Sequence, residues 1–243
     1  IVNSMSKRTK FFIIHLSVSF LCLLTLFFLI YFIWFIPPLD KATGILSVFL
    51  MLILIDLVVG PFLGFLVYKD GKKTLKFDLG IVILLQICSF VYGAHIIVEA
   101  RPVWIVYNAG KYDLVQSFEV IENNIEEARS EFKQKSFFYP KYAAIKPLSN
   151  SERFRELQSG MSVVQKPERF ISISSAKVSI QQNAINLDSL KKYNDSNIVD
   201  KVLSKYPQAT AFVPLKANAL DMTVLINKEK GEVVKIVDLR PWK

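Results

Sequence analysis

From Glu99 to its end this chain has no cysteine and no histidine; Cys22, Cys88, His15 and His95 all lie earlier. That absence removes most zinc sites, thiol nucleophiles and Ser-His-Asp triads from the C-terminal half. It also removes disulfides, so that half must fold on its core alone. Cys22 and Cys88 lack the Cys-x-x-Cys spacing of a redox motif and read as apolar packing residues. No glycine-rich phosphate loop is present. Charge is scarce as well: between Phe11 and Val98 almost none occurs outside two short connectors.

What fills that uncharged stretch is three apolar runs, at about residues 11–36, 45–68 and 79–98. Each reaches the roughly 20 residues that a helix needs to cross a bilayer. Pro37-Pro38 and the turn through Gly44 end the first run, and Lys69 to Asp78, with Gly71, separates the second from the third. The first run is longer than a signal-peptide core and lacks a small-residue cleavage site before Pro37, so it is expected to remain as a span. Residues 1–98 are thus expected to be a membrane domain and residues 99–243 a second domain. Met5 is expected to be the initiator, with Ile1-Val2-Asn3-Ser4 additional to it.

The formal charge of +9 comes partly from Lys7, Arg8, Lys10, Lys69, Lys72, Lys73 and Lys76, which flank the apolar runs. By the positive-inside rule they place the N-terminus in the cytoplasm, and three crossings then export everything after Val98, into the periplasm of a Gram-negative cell. From Glu99 onward, 22 Lys and Arg face 17 Asp and Glu, dispersed and without a nucleic-acid motif. That pattern is a solvated surface, and no nucleic-acid partner is expected.

In the exported half, Trp104–Val106 and Tyr112–Val115 read as strands around a turn at Asn108-Ala109-Gly110. Phe118, Ile121, Ile125, Ala128 and Phe132 recur at helical steps, with glutamates early and Lys133 and Lys135 late, which predicts an amphipathic helix. The four glutamates Glu119, Glu122, Glu126 and Glu127 read as its solvated face. Ser151 to Gln158 reads as a short helix ended by Gly160, and Ile171, Ile173, Val178 and Ile180 suggest short strands. Leu187 to Tyr206 reads as helical segments broken at Asn194-Asp195-Ser196-Asn197. Thr210–Leu215, Asp221–Ile226 and Glu232–Leu239 read as strands, the last two joined by a hairpin at Asn227 to Gly231. The expected fold class is a three-helix transmembrane bundle followed by a periplasmic α+β domain with an antiparallel sheet.

Asp56 lies near the middle of the second run, where a carboxyl group is costly unless protonated, paired or turned toward other helices. Depth counting makes Tyr92 or Thr25 its expected internal partner. Gly60 and Gly64, with Pro61 beside them, share its helix face and form a surface that another helix can approach closely. That face suits either a partner's membrane helix or the chain's own spans. Beyond the third run, Arg101, Pro102, Trp104 and Tyr107 suit a headgroup-level anchor, although Pro102 and the β-favouring run after it start a strand at once. Ser174-Ser175-Ala176-Lys177 fits the Ser-x-x-Lys spacing of penicillin-binding enzymes, but Ser-Asp-Asn and Lys-Thr-Gly are absent, and the serines alternate with isoleucines as on the solvent face of a strand. No catalytic, cofactor-binding or metal-binding residue is expected.

Four pieces carry a family resemblance. They are Asp56 to Lys69, reading Asp-Leu-Val-Val-Gly-Pro-Phe-Leu-Gly-Phe-Leu-Val-Tyr-Lys; Arg101 to Asn108; Tyr112-Asp113-Leu114-Val115; and Val233 to Trp242, ending Asp238-Leu239-Arg240-Pro241-Trp242. In their order and spacing the chain resembles the type IV pilin accessory proteins of the TfpX/TfpZ (FimB-like) family. The resemblance implies a non-enzymatic, chaperone-like protein of the bacterial inner membrane whose partner is a cognate major type IV pilin, with inner-membrane pilus assembly components as further partners. The face of Asp56, Gly60, Pro61 and Gly64 would then meet the pilin's apolar helix, the domain would meet its head, and Arg101, Pro102, Trp104 and Tyr107 would set the domain's orientation over the bilayer. A membrane-anchored periplasmic sensor or ligand-binding module is the alternative, and a serine-lysine peptidase using Ser174 and Lys177 a third. Residues 137–206 carry no motif.

Overall fold

The computed structural model describes residues 5–242; the reading of Ile1-Val2-Asn3-Ser4 as additional residues lies outside the described residues. The chain divides into two units, Ile1–Ile33 with Ile45–Glu99, and Trp34–Gly44 with Ala100–Lys243.

The first unit holds three long apolar helices. Helix α1 (Lys7–Leu29) begins at Ser6, whose hydroxyl accepts from the Thr9 backbone N–H at 3.2 Å, and runs on into a π-helical turn, Ile30–Trp34. The short α2 (Leu39–Thr43) belongs to the other unit. Helix α3 (Ile45–Ile53), a π-helical turn (Leu54–Val59) and α4 (Gly60–Val67) form the second continuous rod, and α5 (Leu75–Glu99) the third. The rods span 28, 23 and 25 residues, each long and apolar enough to cross a membrane. Their outer faces carry exposed Val18, Leu21, Leu50, Met51, Phe62 and Leu85, the reverse of a water-soluble bundle. Close packing uses a glycine: at Gly93 on α5 a side chain would lie 2.6 Å from Leu52 Cδ1 of α3.

The second unit is a seven-stranded sheet with helices packed on it. Its strands are β1 (Pro102–Asn108), β2 (Lys111–Gln116), β3 (Lys141–Ile145), β4 (Phe170–Ile171), β5 (Ala211–Lys216), β6 (Met222–Asn227) and β7 (Glu232–Val237), in the order β4-β3-β1-β2-β5-β6-β7. The sheet is mixed rather than antiparallel, which corrects the expected class. Hairpins β1–β2, β5–β6 and β6–β7 are antiparallel as their tight turns require, but β3 returns beside β1 and β5 beside β2 after long excursions, and both pairs are parallel.

Period-two alternation along β1 builds two cores at once. Trp104 and Val106 face Phe132, Val164 and Phe170, whereas Ile105 and Tyr107 face Leu114, Val213 and Ile180. Phe212, Leu225 and Leu239 meet Leu190 and Val199 in a third cluster. Segment Trp34–Gly44, assigned from sequence to the membrane part, is built into the main core through Leu39 and Ala42. It is held by a hydrogen bond from Ala219 N–H to the Ala42 carbonyl (2.9 Å) and an ion pair from Lys41 to Asp238 (2.7 Å).

Three local expectations need correction. The amphipathic helix expected over Phe118 to Lys135 is a chain of single 3₁₀ turns, Ser117–Glu119, Ile125–Glu127 and Ser130–Phe132. Asn123-Asn124 interrupt it, Ile121 N–H bonds the distant Gln165 carbonyl (2.8 Å), and Phe118 is exposed, so only Ala128 and Phe132 use the apparent period for burial. The strands suggested by Ile171 to Ile180 reduce to Phe170–Ile171, followed by a 3₁₀ turn and α7 (Lys177–Asn183), which turns Ile180 into the main core. Trp104 and Tyr107 form no belt: β1 is an interior strand covered on both faces, and Arg101 to Tyr107 are buried throughout. By contrast α6 (Asn150–Ser159) ends at Gly160 with φ +66°, and α8 (Ser196–Leu203) starts at Asp195, whose carboxylate accepts from the Asn197 and Ile198 N–H groups.

Candidate functional site

Polar groups gather inside the first unit, and Pro61 is where the arrangement starts. Gly60 N–H bonds the Ile55 carbonyl, five residues back, in the π-helical turn. Residue 61 is a proline without N–H, so the Asp56 carbonyl has neither its four-residue nor its five-residue donor. Gln86 of α5 supplies one: its Nε2 donates to the Asp56 carbonyl at 2.7 Å and to Ser19 Oγ of α1 at 2.7 Å. A backbone carbonyl only accepts, so the Gln86 amide has a single orientation and its Oε1 faces His15 Nε2 at 2.5 Å. His15 Nε2 therefore donates to that oxygen, and its Nδ1 is buried with no hydrogen-bond partner among the described residues.

The small residues make this possible. A Cβ at Gly60 would overlap the Gln86 carboxamide, and one at Gly64 would lie 3.0 Å from Phe11 Cε1 and 3.1 Å from His15 Nδ1. Gly60, Pro61 and Gly64 are buried and face the chain's own α1 and α5; of the two uses open to that face, this geometry is the packing one. Tyr92 and Thr25 are not the partners of Asp56: Tyr92 is exposed, and Thr25 Oγ1 donates to Leu21 O on its own helix (3.0 Å). His15, Ser19 and Gln86 were missed by depth counting, yet each is a polar residue in an apolar run, the signal that singled out Asp56.

Asp56 itself is 1 % exposed, and neither carboxyl oxygen has a hydrogen-bond partner among the described residues. The side chain lines a cavity of about 320 Å³ whose other walls come from α1 and α5, including His15, Ser19, Cys22 and Gln86. Chemically this is a lone carboxyl at the floor of an apolar pocket, beside an amide whose Nε2 donates to the Asp56 carbonyl and to Ser19 Oγ and whose Oε1 faces the His15 imidazole.

In the second unit, Trp104 meets Phe132 and Phe170 edge to face, with centroids 5.7 and 5.5 Å apart, and Tyr107 OH lies 3.1 Å from Ser179 Oγ. Arg101 lies over the Phe137 ring. A groove of about 690 Å³ runs between Ile36–Leu39 and β7, and Ser174 and Lys177 line it. Ser174 stands on a 3₁₀ turn rather than a strand, its Oγ 2.8 Å from Ser172 Oγ, while Lys177 opens α7 and rests its stem against Gly231. Asp113 is largely buried next to Lys111 at 2.5 Å; burial pushes its carboxyl above the usual carboxylate range and Lys111 pulls the other way.

No family model and no solved structure matches the chain. Over 228 residues it is 27 % identical to the fimbrial assembly protein of Dichelobacter nodosus serogroup E1, covering 88 % of this chain and 89 % of that protein. The serogroup I protein is 24 % identical over 229 residues with the same coverage. The protein of serogroups C1 and C2 is 27 % identical over 117 residues, 47 % of this chain and 89 % of its own length. Both units thus fall within a chain that is similar, along most of its length, to fimbrial assembly proteins.

Proposed function

We propose that this chain is a non-enzymatic accessory protein of type IV pilus assembly that keeps a cognate major pilin competent for incorporation. It sits in the bacterial inner membrane with its N-terminus in the cytoplasm and the sheet unit in the periplasm. The similarity to fimbrial assembly proteins over 88 % of the chain carries this reading. Three helices long enough to span a bilayer support the membrane location, and the basic residues before α1 and between α4 and α5 support the orientation. Deleting the gene should lower surface pili and pilin level, with recovery by the intact chain and by its Ser174→Ala variant. Normal piliation in the deletion strain would overturn the role. A chain lacking Cys22 and Cys88 and carrying Ser204→Cys, an exposed position, should react with a membrane-impermeant thiol reagent in cells with permeabilised outer membranes. Protection of that thiol until the inner membrane is opened would overturn the orientation.

A further inference from the structure

We propose that the cavity floored by Asp56 is a binding site for a protonated amine presented by a partner's apolar transmembrane helix. Neither oxygen of the buried carboxyl has a hydrogen-bond partner among the described residues. Ionised, it is an unpaired charge in an apolar wall; protonated, it is a hydroxyl donor without an acceptor. The neighbouring polar groups leave it so: Gln86 Nε2 is committed to Ser19 and to the Asp56 backbone, and Gln86 Oε1 to His15. An ammonium group matches the carboxylate in charge and supplies the missing donor.

The mouth of the cavity decides what can carry that group. Ile14, Val18 and Ile87 line the cavity and are themselves exposed on the outer apolar face of the helices. A polar ligand arriving from water would meet these apolar side chains first, whereas an apolar helix lies against such a face by packing. The inference rests on the assembly reading only for the supply of a partner helix in the same membrane.

The test uses the purified full chain in phosphatidylcholine vesicles with a synthetic apolar helix bearing one central lysine and a thiol-reactive group one turn away. Cys22 lines the cavity and Cys88 does not, so the ratio of their labelling reports where the helix sits. The lysine helix should favour Cys22 about tenfold over an otherwise identical leucine helix, the size of effect expected for one polar contact between helices. Asp56→Asn should level the two helices. Equal labelling by the lysine and leucine helices on the unaltered chain overturns the proposal without reference to any variant's folding, and so does an undiminished preference in Asp56→Asn. Vesicles containing phosphatidylethanolamine, whose headgroup carries the same ammonium chemistry, should leave the preference intact; its loss there would assign the site to lipid and overturn the helix occupant. All components are purified, so failure leaves the cellular assembly role standing.

Discussion

A missing hydrogen atom on Pro61 has consequences on three helices. It leaves the Asp56 carbonyl without a donor on its own rod, Gln86 crosses over to supply one, and Gly60 leaves the room for it. Gln86→Leu should therefore orphan that carbonyl and break the chain to Ser19 and His15, costing about 1–3 kcal/mol for a buried acceptor left unmade. Gly60→Ala should cost a comparable amount by expelling the same carboxamide. Both are read by denaturant titration of the chain's helicity in detergent, and an unchanged midpoint in either would count against the network. In the second unit Asp113 supplies a pH signature. Burial holds its folded pKa above the ordinary 3.8, so the folded state binds more protons than the unfolded one across that interval. Stability from this group then falls as pH rises from about 4 through the raised value and is greatest below it. Melting of Asp113→Asn measured across the same range should lack that portion of the slope.

Among the elements, α2 departs most from its expected place. By position it is a turn between two apolar runs, but Leu39 and Ala42 complete the main core of the sheet unit, and Gly44 closes the helix with φ +71°. Leu39→Ala should lower stability by about 2–4 kcal/mol, as a large-to-small change at a buried site does. A fragment of residues 100–243 alone should melt below the intact chain and bind a dye specific for exposed apolar surface, and a synthetic peptide of residues 34–44 should raise its melting temperature. A fragment that melts as the whole chain does, indifferent to the peptide, would show that α2 is dispensable. The opposite lesson comes from residues 118–132. Their apolar spacing fits a helix on paper, yet the backbone is diverted into 3₁₀ turns because Asn123-Asn124 interrupt it and Ile121 N–H bonds a distant loop. A period in the sequence records which side chains could share a face, not whether the backbone donors are free to make the helix.

At the scale of the whole molecule, the chain passes between the two units three times, after Ile33, after Gly44 and after Glu99. The last passage is short: α5 ends at Glu99 and β1 begins at Pro102. Inserting a flexible Gly-Ser segment after Ala100 should impair pilin handling, measured as surface pili per cell at matched protein level, if the two units act as one device; unaltered piliation would mean that they act separately. The local half of the architecture is legible in the residues themselves. Three apolar runs of bilayer length, the turn at Asn108-Ala109-Gly110, the cap at Asp195 and the closing hairpin through Gly231 each depend on neighbours within a few positions, and each stands where the composition put it. The tertiary structure alone decided the parallel pairing of β3 with β1 and β5 with β2, the entry of Leu39 into a core whose strands begin only at Pro102, and the choice of Gln86 rather than Tyr92 or Thr25 beside Asp56. Apolar periodicity specifies which face is buried but not against what. The partner of an orphaned carbonyl or an unfilled core is set by whichever distant segment satisfies it at least cost.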